Sequence, residues 1–186
     1  MNILDLSKTT AVLDLTKAAP TLQSLSGVLS WEPHPVHGKS LKFGFDLDIF
    51  AFALATGKIS GAADVAYHKN KSACGVRIPE DERSGGSEEV FVDLKNVPAG
   101  KDQIALWIFL HEADKRGQHM GMVANAKFVL SDAVTKEVIQ EYRLTDFADK
   151  TAAHIGNLVR TATGWDFKPD GGAFVLNGND VAASYL

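Results

Sequence analysis

At 186 residues and 20.0 kDa, with 45% hydrophobic residues and a mean hydropathy of -0.05, the chain has the composition of one globular domain. A domain of that size buries roughly 70% of its unfolded surface. The formal charge of -4, the single cysteine and the lack of any apolar run near the ~20 residues of a membrane helix exclude three classes: a basic nucleic-acid binder, a disulfide scaffold and a helical membrane protein.

From the start of the chain, Met1-Asn2-Ile3-Leu4-Asp5-Leu6 lacks the basic and long apolar regions of a secretory signal. With Cys74 alone, a reducing cytoplasmic setting is expected. Short alternations at Ile3–Leu6, Val12–Leu15 and Leu25–Trp31 read as strands, punctuated by Pro20. The two prolines in Trp31-Glu32-Pro33-His34-Pro35-Val36-His37-Gly38 predict a loop, in which His34 and His37 read as solvated side chains, with no thiolate or acid cluster beside them to complete a metal shell.

Between Phe43 and Leu54 the pattern sharpens. At a period of two, Phe45, Leu47, Ile49 and Ala51 share one face, and Asp46, Asp48, Phe50, Phe52 and Leu54 share the other. Carboxylates are too costly to bury unpaired, so this strand should lie inside the sheet along most of its length and emerge at a rim where it begins. There Asp46 and Asp48 stand roughly 7 Å apart, at a rise of ~3.4 Å per residue. Like charges at that spacing favour a cation between them.

Asp64–His68 reads as a strand, Lys69–Ser87 as a long polar loop, and Val90–Leu94 as strand again. Ile104–Leu110 is apolar on both faces, as a central strand would be, and stops at His111-Glu112-Ala113-Asp114. Asn125–Leu130 and Val138–Leu144 alternate. Thr151–Thr161 fits either element: Ala152, Ile155, Leu158 and Val159 suit a helical face, while Gly156 and the β-branched residues suit a strand. Gly164–Lys168 reads as strand and Asp180–Tyr185 as a short terminal helix or frayed tail. Strands about every ten residues with Gly, Pro and Asn turns predict an all-β, antiparallel β-sandwich with little helix, a single domain over residues 1–186. Trp31, Phe45, Leu47, Phe52, Val92, Leu106, Ile108 and Phe128 are the expected core.

The acidity is concentrated. From Glu80 to Asp93 six acids face one base, Arg83, and the rest of the chain is close to neutral. Asp46/Asp48, the Asp81–Glu88 loop and Glu112/Asp114 all fall at expected strand ends, which a sandwich gathers at its two poles. Oxygen-rich loops of this kind suit a hard cation such as calcium, with ~6–8 oxygen ligands, although acid-rich surface loops would read the same. Zinc is disfavoured, since His111 has no thiolate partner. An EF-hand is excluded, because Ala51 and Gly57 stand where that loop needs Gly and Glu.

Several pieces, in order, carry a resemblance: Leu15-Thr16-Lys17, Leu29-Ser30-Trp31, Phe45-Asp46-Leu47-Asp48, Gly57-Lys58, and Ala63-Asp64 through Asn70. Asp81-Glu82-Arg83-Ser84-Gly85, Val92-Asp93-Leu94, Val97-Pro98, His111-Glu112-Ala113, Arg116-Gly117-Gln118 and Asn125-Ala126 continue it. From Ser7 to about Phe167 the chain resembles the TerD family of bacterial tellurium-resistance and stress-response proteins. The resemblance implies a β-sandwich that binds calcium at acidic loops. It matches Asp46 and Asp48 to the family's Asp-x-Asp strand start, Asn70 to the second of its paired asparagines, and Asp81 and Glu88 to the acids that open and close its loop. Glu112 stands where the family usually has Asp after His. Arg83 or Gly85 would add carbonyl oxygens. Glu80-Asp81-Glu82 replaces Gly-Asp-Asn, the loop is about three residues shorter, and Ser87 takes a position that is often Asp, so one well-formed calcium site is implied and a second is weakened.

The resemblance thus implies a calcium-binding, non-enzymatic assembly or signalling module whose partners are other stress-response proteins, some of them membrane-bound. An alternative is a calcium-dependent module docking on the membrane surface, aided by Lys39 and Lys42. An enzyme is not expected. His111-Glu112 with Cys74, Ser84 or Ser87 could be drawn as base and nucleophile, yet no nucleophile elbow, phosphate-cradling glycine loop or His-Glu-x-x-His motif is present.

Overall fold

Alternating sequence satisfies its backbone by pairing strand against strand, and the computed structural model, which describes residues 3–33, 44–79, 86–145 and 147–186, is built that way. The first half carries β1 (Ile3–Asp5), β2 (Leu13–Asp14), β3 (Ser24–Pro33), β4 (Leu47–Leu54), β5 (Val65–Ala66), β6 (Ser72–Ala73), β7 (Val76–Arg77) and β8 (Ser87–Asp93). The second carries β9 (Gln103–Leu110), β10 (Val123–Asp132), β11 (Val138–Arg143), β12 (Ala152–Arg160), β13 (Trp165–Pro169) and β14 (Ala173–Phe174). One sheet runs β1-β11-β10-β3-β8-β7-β6 and the other β2-β13-β12-β9-β4-β5, with β14 on β12. Among the described strands only β1 with β11 is parallel. The antiparallel sandwich expected from the sequence is therefore observed.

The facing sides of the sheets form the main core, where Leu47, Ile49, Leu106 and Ile108 meet Leu25, Leu29, Phe128 and Tyr142. A second core lies on the far side of β4 and β9, where Phe52, Leu54, Trp107 and Phe109 are covered with Val181 of a C-terminal helix, α3 (Gly178–Ser184). A capping box starts that helix: Asn177 accepts from the Asp180 amide, and the Asp180 carboxylate accepts from the Asn177 amide. The central strands β4 and β9 are thus buried on both faces, as their sequences require.

Several expectations need correction. Trp31 and Phe45 are only partly buried, because each sits at a rim; Phe45 precedes β4. The other six expected core residues are buried. β3 runs to Pro33, into the stretch read as loop, by pairing Glu32 and Pro33 with Ala124 and Val123; His34 and His37 lie outside the described residues. The polar stretch after Lys69 contains the β6–β7 hairpin. Helix outside the tail exceeds expectation in single turns: α1 (Leu15–Ala18), started by Asp14 accepting from the Lys17 amide, α2 (Ala113–Arg116), and three short 3-10 segments. The ambiguous Thr151–Thr161 segment is the strand β12.

Asp5 joins distant parts of the chain. Its carboxylate accepts from Ser7 Oγ at 2.8 Å and Thr145 Oγ1 at 2.9 Å. The Ser7 bond, with Thr145 and Lys8 adding to it, holds the carboxyl down at about 2 against 3.8. A depressed carboxylate stabilises the fold above its unfolded pKa and loses that contribution as pH falls through the folded value. Asp5→Asn should therefore lower the urea midpoint near neutrality and narrow its gap from the parent at about pH 2. A gap that stays constant with pH would refute the assignment.

Candidate functional site

The start of β4 is pinned to the exit of β9: the His111 amide donates to the Asp46 carbonyl at 2.8 Å, and Leu47 pairs with Leu110. Asp48 is only 6% exposed. Its carboxylate lies between two imidazoles, with His111 Nδ1 at 3.1 Å from Oδ2 and His68 Nδ1 at 3.3 Å from Oδ1. The first contact has hydrogen-bond geometry; the second is close enough for an ion pair but is not aligned as a hydrogen bond. Burial pushes the Asp48 carboxyl up, and the two histidines pull against it. Asp46 is more open and faces Arg116 Nη1 at 3.7 Å. Glu112 enters α2 in the left-handed region (φ 49) and turns its carboxylate to Lys115 at 2.7 Å and Arg116 at 3.8 Å. The Lys115 contact lowers its pKa.

Glu88 arrives from the other sheet. On β8 the residues 88, 90 and 92 point inward, and Glu88 Oε2 accepts from the Ile49 amide at 2.7 Å. β5 pairs with β4 only at Ala51 and Phe52, so earlier on that edge the Ile49 amide is met by this carboxylate instead. Removing a buried acceptor costs about 1–3 kcal/mol. In calcium-free buffer Glu88→Ala should lose stability in that range by urea denaturation, whereas Glu88→Gln, which keeps an acceptor oxygen, should lose much less. Equal losses in both variants would show that charge rather than the amide contact matters.

Asp46, Asp48 and Glu88 thus line one cavity of about 680 Å³, with His68, Lys69, Lys71, His111 and Arg116. A neighbouring cavity of about 310 Å³ shares Asp48, His68 and His111 and is bordered by Glu112. Asn70 is used elsewhere: its Nδ2 donates to the Val65 carbonyl at 2.7 Å, bracing the turn after β5. Asp81, Arg83 and Gly85 lie outside the described residues. Among the described residues no group of three or more His, Cys, Asp or Glu side chains is disposed to hold a metal ion. The sequence reading did not single out His68. It sits in a turn closed by the Tyr67–Asn70 bridge, and no local pattern announces that this turn reaches Asp48.

Cys74 is not an activated nucleophile. Burial and a contact with Asp64 at 3.5 Å push its thiol up, the opposite of what a reactive thiolate needs. No helix among the described residues is long and apolar enough to cross a membrane.

Comparison with known proteins matches the TerD domain over residues 3–185. The tellurium resistance protein TerD of Alcaligenes sp is 32% identical over 181 residues, covering 93% of this chain and 92% of that protein. General stress protein 16U of Bacillus subtilis (strain 168) is likewise 32% identical over 181 residues, with the same coverage. The crystal structure of a homologue of telluride resistance protein (TerD) from Streptomyces coelicolor A3(2) superposes with a TM-score of 0.70 at 20% identity, over 87% of this chain and 95% of that one, and so shares the fold.

Proposed function

Since this chain belongs to the TerD family of tellurium-resistance and stress-response proteins, we propose that it serves that system as a calcium-binding module without catalytic activity. The observation that carries the reading is the convergence of Asp46, just before β4, and Asp48, on it, with Glu88 from β8 on one cavity. Carboxylates contributed by two sheets fit a hard cation that takes ~6–8 oxygens. A bound calcium would set a full positive charge beside the buried Asp48, in addition to its contacts with His68 and His111. Asp46 would exchange its 3.7 Å contact with Arg116 for the ion. The remaining oxygens would come from Asp81 and the carbonyls of Arg83 or Gly85, with Asn70 or Glu112 at the border. Lys69, Lys71 and Arg116 keep the same cavity from becoming a bare acidic patch.

The role built on the ion is assembly or signalling with other proteins of the stress response, membrane-bound ones among them. The unactivated Cys74 supports the non-catalytic part of the reading. Isothermal titration of chelator-treated protein with calcium tests it. One saturable site, lost in Asp46→Asn and in Asp48→Asn, is expected. Absence of binding heat at every calcium concentration, confirmed by an unchanged melting curve, would overturn it.

A further inference from the structure

We infer, resting on the calcium reading of the acidic cavity, that Arg116 is a tethered counter-ion that competes with calcium for Asp46 and so sets how much calcium the cavity needs before it fills. β9 ends at Leu110, and the His111 amide, bonded to the Asp46 carbonyl, fixes the corner beside the acidic rim. From there the chain makes one helical turn, α2, bounded by two left-handed residues, Glu112 (φ 49) and Gly117 (φ 61). The Arg116 amide donates to the Glu112 carbonyl at 3.0 Å and the Gln118 amide to the Ala113 carbonyl at 2.9 Å, which closes the turn. The Arg116 side chain is thereby brought back to line the cavity, where it is only 18% exposed.

The guanidinium faces two acids at once. Nη1 lies 3.7 Å from Asp46 Oδ2, and Nη2 lies 3.8 Å from Glu112 Oε2. Both separations exceed hydrogen-bond length, so charge holds these two contacts and no aligned bond locks them. Arginine keeps its charge throughout the physiological pH range, which makes it a permanent occupant rather than a titrating one. Asp46 can serve a divalent ion only beside this fixed positive charge. Either the guanidinium swings aside or the two cations repel, and both lower calcium affinity. Glu112 stays neutralised when Arg116 leaves it, because Lys115 holds its other oxygen, Oε1, at 2.7 Å. Arg116 can thus be displaced from Asp46 without stranding a second carboxylate.

Calorimetric titration of chelator-treated protein with calcium tests this in Arg116→Gln and Arg116→Lys. Arg116→Gln removes the charge and should tighten calcium binding by about tenfold or more, whereas Arg116→Lys, which keeps it, should stay close to the parent. In chelator the same Arg116→Gln protein should have a lower urea midpoint than the parent, since Asp46 has then lost its counter-ion. The opposite signs separate competition from a merely structural role, which would weaken the ion-free protein and calcium binding together. Arg116→Met, which retains the apolar stem, should reproduce the gain in affinity even if Arg116→Gln folds poorly. Lys127→Gln, the same change of charge on β10 of the other sheet, should leave calcium affinity unchanged. Calcium bound no more tightly by the charge-removing variants, or an equal gain in Lys127→Gln, would overturn the competition and leave the calcium site standing. Absence of binding in the parent and in every variant would remove the site and the competition together.

Discussion

Phe128→Ala should cost about 3–5 kcal/mol, the range for truncating a fully buried phenylalanine. Phe128 has no exposed surface, and on β10 it stands between Leu29 of β3 and Tyr142 of β11, inside the sheet. A single-domain protein has only about 5–15 kcal/mol of net stability, so the variant should lose a large share of it. Urea denaturation should show a lower midpoint with an unchanged slope. Phe45→Ala should cost visibly less, because Phe45 is only partly buried at the rim before β4. If the two variants were equally destabilised, the rim position of Phe45 would be wrong.

Calcium should raise the melting temperature by several degrees. A ligand that binds only the native state adds RT ln(1 + [L]/Kd), about 2.7 kcal/mol at a hundredfold excess over Kd. The gain has a local source, since the buried Asp48 is held at a cost that burial imposes on its charge. Asp46→Asn combined with Asp81→Asn should remove the calcium-dependent rise and leave a folded protein in chelator. Magnesium should do much less, because its small octahedral shell dehydrates reluctantly. Identical curves with calcium and with chelator would reduce the rim to ordinary acidic surface.

How legible these features were depends on how local their causes are. The two faces of β4 could be read directly: Leu47, Ile49 and Ala51 enter the main core while Phe52 and Leu54 enter the second one. The acidic rim followed from the same alternation. β12 could not be read, for a specific reason. A register shift between His154 and Gly156 breaks its period, so that inward-facing Ile155 and Leu158 stand three residues apart, a helical spacing. Gly156 has φ 150, and a Cβ there would meet the Lys168 carbonyl oxygen at 2.4 Å, so the bulge requires glycine. The β6–β7 turn was hidden in another way. Cys74 and Gly75 both have positive φ, 49 and 82, but cysteine is not a residue that announces such a turn. The Asp48–His68–His111 contact joins three segments through tertiary packing alone, and no spacing in the sequence encodes it.

The order of strands has a consequence for the birth of the protein. β1 closes one sheet by pairing with β11, Ile3 opposite Glu141, and β2 closes the other by pairing with β13, Leu13 opposite Phe167. The opening segments of the chain therefore have no place to dock until nearly all of it has left the ribosome. Topologies dominated by such distant pairings fold on the order of milliseconds to seconds rather than microseconds. During synthesis the β6–β7 hairpin and the pairings of β3 with β8 and β4 with β9 can form first, while β1 and β2 stay unpaired until β11 and β13 emerge.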